Sequence, residues 1–566
     1  MRPAFFPITP LAFALLLSLA CAGGGPPADS AVTLAFVNGR VWTGNPDQPE
    51  AEAVAIAGER IIAVGSSAEI RALAGGAEVV DLDGRFVTPG FIDTHVHFLD
   101  AGSRLASVQL RDAATREEFV ERIRAFAATV PAGTWITGGD WDHTLWGGEL
   151  PHRSWIDAVT PDHPVWVTRL DGHMALANSA ALRAAGVPDR VADVAGGEVV
   201  RDPDGRISGL LKDNAKTLVT ARMPPPSDAM RDRALDAAMT HVAERGVTTV
   251  HHMGHNMEAW EDLEVFARAW RAGSLRTRVY AAVPLHTWAR LDSTVRARVY
   301  GPEGWGDAWL RVGLLKALVD GSLGSHTAAF YEPFSDTPGD RGFFVNTAED
   351  LYTWVRGADQ AGLHVTVHAI GDRANATLLD LFERVMRENG PRDRRFRVEH
   401  AQHLAPVDIP RFGALGVIAS MQPYHAIDDG RWAERVIGPE RIKTTYAFRD
   451  LMSAGAHVAF GSDWFVAPPT PLEGIYAAVT RQTIDGANPD GWVPAQRIMV
   501  EEALRAYTRE GAYASFEDGT KGMLAPGMLA DLVIMDRDPR EVPPVEIRSI
   551  RVVRTVVGGR TVYQRR

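Results

Sequence analysis

Two histidines two positions apart, His95 and His97, close the stretch Pro89-Gly90-Phe91-Ile92-Asp93-Thr94-His95-Val96-His97. A glycine turn followed by an Ile-containing apolar run predicts a short strand. In a strand, side chains at i and i+2 leave the same face about 7 Å apart, so two imidazoles can converge on one metal ion. The pair is weak on its own. With 18 histidines in 566 residues, chance supplies about half such a pair. Two packed barrel-floor histidines would read the same way, so the rest of the chain must decide.

Further ionisable residues recur at the ends of predicted strands. Lys316 sits inside Leu314-Leu315-Lys316-Ala317-Leu318-Val319-Asp320, His368 ends Val367-His368, His400 ends Arg397-Val398-Glu399-His400, and Asp463 follows Phe460-Gly461-Ser462. Each has a plain structural reading. A lysine can reach solvent from an apolar strand, a histidine can be a hydrogen-bonded core residue, and an aspartate after Gly-Ser can cap a helix. Those readings do not explain why all six fall at one set of positions.

The elements that must carry them alternate in character. Residues 89–520 pass repeatedly from apolar runs to helical stretches, the pattern of βα units around a parallel sheet. Nine candidate strands occur, at 91–97, 165–170, 248–253, 279–283, 312–319, 364–368, 396–400, 417–421 and 458–463. The second lies in a stretch around 98–230 rich in Trp, Gly and Pro and is assigned to an insertion. Eight strands remain, as a (β/α)8 TIM barrel of the α/β class requires. Such barrels place their chemistry at the C-terminal strand ends. On either side, residues 33–88 and 521–566 read as short strands with tight turns, Asp83-Gly84 among them, which predicts a small β-sandwich domain built from both termini.

Composition narrows the function classes. Hydrophobic residues at 46% supply a large core, and a net charge of −12 argues against a nucleic-acid partner. Residues 1–21 read as a signal segment, with Arg2 before an apolar run too short for a comfortable membrane span, and residues 22–32 as a flexible spacer. Cys21 is the single cysteine, so the mature protein has no disulfide. The position of Cys21 resembles that of a lipidated residue in a bacterial lipoprotein signal, although Ser18 stands where such signals usually have Leu. Ordinary secretion by cleavage near Ala20-Cys21-Ala22 is the alternative. Both predict an exported protein, periplasmic or anchored to a bacterial cell envelope.

Taken together, these residues resemble the amidohydrolase superfamily, specifically amidohydrolase family 3, the group that includes N-substituted formamide deformylases. The likeness rests on Pro89 to His97, Asp171-Gly172-His173, Gly246 to His251, Lys316 with Asp320 to Gly324, and Val367 to Asp372. It continues through Glu399 to Gln402, Ser420 to Pro423, Gly461-Ser462-Asp463 and Gly527 to Val533. The resemblance implies two divalent metal ions, most often zinc. His95, His97 and Asp463 would hold the more buried ion, His368 and His400 the more exposed one. Lys316 would bridge both as a carbamate formed with carbon dioxide, and Asp463 would carry protons between the attacking water and the leaving nitrogen. His173 resembles a family residue that faces substrate. Trp141, Trp146, Tyr424, Trp464 and Phe465 suggest an aromatic mouth, or simple packing around the insertion. His252 and His326 depart from the family pattern, which has Asp and Arg there.

The function implied is hydrolysis of a non-peptide, amide-type C–N bond in a small molecule by a metal-activated water. A mononuclear-metal deaminase of a cyclic or aromatic amine is the alternative. Its relatives carry a Glu shortly after the fifth-strand histidine, where this chain has Ala369-Ile370-Gly371-Asp372. A non-catalytic binding protein would show a degenerate ligand set, and this one is complete.

Overall fold

The computed structural model describes residues 31–254, 260–291 and 306–566. The leader at 1–21, Cys21 and most of the spacer lie outside the described residues. At the centre is an eight-stranded sheet of β1 (Phe91–Val96), β2 (Val247–His252), β3 (Arg278–Pro284), β4 (Leu310–Leu318), β5 (His364–Ala369), β6 (Arg397–His400), β7 (Ile418–Met421) and β8 (Val458–Phe460). Neighbours in chain order are neighbours in space, and every pairing is parallel. The sheet closes where Val96 bridges Trp464, with Asp463 N–H donating to His95 O and His97 N–H to Trp464 O, each at 2.7 Å. The chain is therefore a (β/α)8 barrel, and its seam lies where the first and last candidate ligands meet.

The strands hold because both faces are covered, so runs such as Leu310–Leu318 can be apolar at nearly every position. The outer helices carry the complementary pattern. Asp372–Asn389, after β5, buries Ala374, Leu378, Leu381, Phe382 and Val385 on one face. Gly461 matters at the seam. A Cβ there would lie 2.6 Å from His95 N, so any larger residue would push β8 off β1.

Between β1 and β2 the chain forms a separate six-stranded sheet from Val108 to Asp213. Its core holds Trp141 and Trp155, with Phe119 and a partly buried Trp146. The run at 165–170 forms the strand Val165–Arg169 of this sheet rather than of the barrel.

Two further sheets share one apolar core, to which Phe36, Val54, Ile56, Val87, Leu532, Ile534 and Val556 all contribute. In one of them Leu532–Met535 from the C-terminus pairs antiparallel with Phe86–Pro89, the strand that feeds β1. A buried ion pair fixes this layer to the barrel. The Arg278 guanidinium donates to both oxygens of Asp531 at 2.7 and 2.9 Å, and Gly558 N–H donates to the same carboxylate at 2.8 Å. Asp531→Ala would strand a buried guanidinium, a loss of about 3–5 kcal/mol. A thermal melt of the variant is expected to show a clear drop, and an unchanged melt would refute the assignment of this pair as a structural tie.

Candidate metal centre

The C-terminal strand ends open into a cavity of about 720 Å³ whose lining includes His95, His97, His173, Lys316, His368, His400 and Asp463. The seven residues proposed from sequence thus share one wall, although up to 368 positions separate them. Six come from β1, β4, β5, β6 and the segments just past β1 and β8. His173 comes from the insertion.

Each imidazole has one nitrogen committed to an oxygen acceptor. His95 Nδ1 lies 2.6 Å from Glu399 Oε2, His97 Nδ1 bonds Gly254 O, His368 Nε2 lies 3.0 Å from Gly321 O, and His400 Nδ1 lies 2.7 Å from Gln422 Oε1. A carbonyl, amide or carboxylate oxygen can only accept, so the bonded nitrogen carries the hydrogen. The second nitrogen of every ring is then left as a lone pair, the arrangement that metal-binding histidines use. The rings cluster closely: centroids are 5.6 Å apart for His95 and His97, 4.8 Å for His95 and His400, and 4.5 Å for His368 and His400. Asp463 Oδ1 stands 3.4 Å from His95 Nε2 and 3.2 Å from His97 Nε2. That oxygen is buried without a hydrogen-bond partner among the described residues. One donor atom each from His95, His400 and Asp463 falls within 4.8 Å of the others.

The electrostatics suit a cation. Burial, with a smaller push from Lys316, drives His95 down to about 4, and burial likewise holds His368 and His400 well below the ordinary imidazole value. All three are neutral at pH 7, as ligands must be. Burial also lowers the Lys316 amine to about 8, against the opposing pull of Glu399 and Asp463. Burial alone would raise the Asp463 carboxyl, and only a proton on His95 or His97 beside it would pull it down. His400 and Asp463 have φ of 75° and 60°. Such left-handed backbone is uncommon at non-glycine residues, and both lie at or just past the C-terminal end of a barrel strand, where they aim a candidate ligand. Convergent lone pairs and a buried carboxylate oxygen without a hydrogen-bond partner among the described residues fit a divalent metal ion, for which His and Asp are common donors.

Behind this layer stands a buried support that the sequence reading left without a role. Glu399 is fully buried and receives Arg397 Nη2 at 2.8 Å as well as the Thr366 hydroxyl. Arg397 also donates to Thr94 O at 2.7 Å. The adjacency of Glu399 and His400 was a visible signal for a carboxylate at the site. Gln422 and Asp213 gave no local one. His173 Nδ1 pairs with Asp213 Oδ1 at 2.7 Å, which outweighs burial and raises the imidazole, and its ring lies 5.3 Å from that of His368. Asp171 also lines the cavity, but its Oδ2 is committed to Arg169 Nη1 at 2.7 Å and Ser322 Oγ at 2.5 Å.

Other residues fall elsewhere. His252 bonds Asp262 at 3.0 Å, His326 bonds Asp336 at 3.0 Å, and His364 bonds Arg395 O at the opposite end of the barrel. The aromatic mouth suggested by the sequence reduces to Phe465, which lines the cavity with Trp432, Leu99, Met223 and Pro224 to Pro226. Trp141 is fully buried in the insertion, and Trp464 stacks on His241 with ring centroids 4.8 Å apart.

Comparison with known proteins agrees with the architecture. The profile of the amidohydrolase family matches residues 78–563. The chain is 41% identical over 548 residues to the protein LONG AFTER FAR-RED 3 of Arabidopsis thaliana, covering 95% of this chain and 93% of that one. It is 29% identical over 546 residues to an N-substituted formamide deformylase of Arthrobacter pascens, covering 94% and 98%. Among solved structures it resembles an uncharacterised metal-dependent hydrolase of Pyrococcus horikoshii with a TM-score of 0.73 at 28% identity, covering 90% of this chain and 99% of that one.

Proposed function

Because this chain belongs to the amidohydrolase family and is a metal-dependent hydrolase, we propose that it hydrolyses an amide-type C–N bond in a small non-peptide molecule. The observation that carries the reading is the partnerless Asp463 Oδ1 facing the free nitrogens of His95 and His97, with a donor atom of His400 in the same cluster and the ring of His368 packed against that of His400. His95, His97 and Asp463 would hold one divalent ion, His368 and His400 a second. The Lys316 amine, made easier to deprotonate by burial, would in its unprotonated form add to carbon dioxide, lose one proton and become a carbamate between them. Divalent ions held there supply Lewis acidity toward water and toward a carbonyl oxygen.

The chain's own groups then do the following. Asp463 accepts a proton from the attacking water and returns it to the leaving nitrogen, so that an amine departs and a carboxylic acid remains. Glu399, locked by Arg397 and Thr366, keeps His95 in the tautomer that presents Nε2. His173, oriented by Asp213 and made more basic by it, stands beside His368 on the cavity wall. Leu99, Met223, Phe465 and Trp432 give the cavity an apolar wall, which suits an N-formyl or N-acyl amine with an apolar nitrogen substituent. The likeness to an N-substituted formamide deformylase supports the same class. The leader sequence supports export, with Cys21 as the point of lipid attachment.

The test joins metal analysis to a hydrolysis screen of N-benzylformamide, N-butylformamide and N-benzylacetamide. About two equivalents of zinc and release of amine are expected, with zinc falling in Lys316→Ala. One equivalent in both proteins would favour the single-metal alternative and overturn this reading.

A further inference from the structure

His425 lies on the helix Pro423–Asp429, which starts directly after β7, a strand whose end supplies none of the proposed ligands. Its ring is stacked nearly parallel to that of His400, at 12° and 6.3 Å between centroids. Its Nε2 is buried and has no hydrogen-bond partner among the described residues, and it stands 3.9 Å from Asp463 Oδ2. The other charged groups around the ring are Asp428, Asp171 and Arg111. The two oxygens of Asp463 therefore have different surroundings. Oδ1 faces the free nitrogens of His95 and His97, while Oδ2 faces His425.

A buried imidazole nitrogen without a partner is costly to keep. Beside a carboxylate oxygen, an approach of about 1 Å turns this one into a hydrogen bond, and such bonds are commonly long before substrate is bound. The terminal torsion of an aspartate is soft, so without a neighbour the Asp463 carboxylate can rotate and exchange its oxygens.

We infer that His425 is a positioning residue. Its Nε2–H donates to Asp463 Oδ2 and holds that oxygen as the proton acceptor, leaving Oδ1 for the cation. The inference deepens the reading of Asp463 as proton carrier and rests on it. It requires neutral His425 to exist as the Nε2–H tautomer.

Two measurements decide it. The first is ¹⁵N NMR of zinc-loaded protein labelled at histidine, with the His425 signals identified by their absence from His425→Gln. A proton on Nε2 is expected. A proton on Nδ1 overturns the inference, and this result needs no substrate, so it stands even if no amide is hydrolysed. The second uses whichever formamide the wild type turns over. His425→Ala is expected to lower kcat about 10- to 100-fold with KM within about twofold and zinc content unchanged. His425→Gln, which keeps an N–H donor near the position of Nε2, is expected to recover most of the loss. Loss of zinc in His425→Ala would make His425 a ligand, and a rise in KM alone would make it a substrate contact. Either result rejects the positioning role.

Discussion

Asp463→Asn is expected to lower kcat by about a thousandfold, within the range that a positioned general base contributes. The substitution is close to isosteric and removes only the capacity to accept a proton and the negative charge. Asparagine also tolerates left-handed backbone better than most residues, so the φ of 60° at this position should survive the change. Because the same carboxylate faces His95 and His97, the variant must be compared with wild type at equal zinc occupancy, each sample being assayed for metal and turnover together. A kcat within tenfold of wild type at matched zinc would remove Asp463 from the proton path. A loss that disappears once excess zinc is supplied would assign it to metal binding alone.

A second large effect concerns stability in acid. In the metal-free protein, burial drives His95 to about 4 and His143, His364 and His403 to about 3. It also holds His251, His368 and His400 well below the ordinary imidazole value. Unfolding exposes these rings, which take up protons below pH 6.5, so the unfolded state binds more protons than the folded one and stability falls as pH falls. Three buried carboxyls act in the opposite sense, since burial raises Asp93, Asp320 and Asp429 to about 7. These keep their protons when folded at pH 5 to 6. The lowered imidazoles, His241 among them, outnumber the raised carboxyls, so the net effect over this range is a loss of stability as pH falls. A melt of metal-free protein is expected to fall steeply between pH 6 and pH 5. His403→Gln, which changes a buried ring outside the proposed ligand set, should flatten the slope by about one proton's share. A melting temperature that stays constant over that unit would contradict the burial of these rings.

The buried position of the ionisable groups links the two expectations. A site of neutral imidazoles around one carboxylate binds cations well because the surrounding barrel excludes water. The same exclusion makes the protein sensitive to protons when the cation is absent.

The amino-acid order by itself determined the eight-strand barrel, the insertion between its first two strands, and the positions of His95, His97, Lys316, His368, His400 and Asp463. Those are local properties. An apolar run of five to nine residues with a polar group at its end states both the strand and the place of its chemistry, wherever the strand sits in space. The tertiary structure alone decided what holds these groups. Glu399 reaches His95 across 304 positions, Asp213 reaches His173 across 40, and His425 meets Asp463 only because β7 and β8 lie side by side. It also moved Trp141 from a supposed mouth into the core of the insertion. Such partners are set by the register of strands distant in sequence, and no short stretch of chain encodes that register on its own.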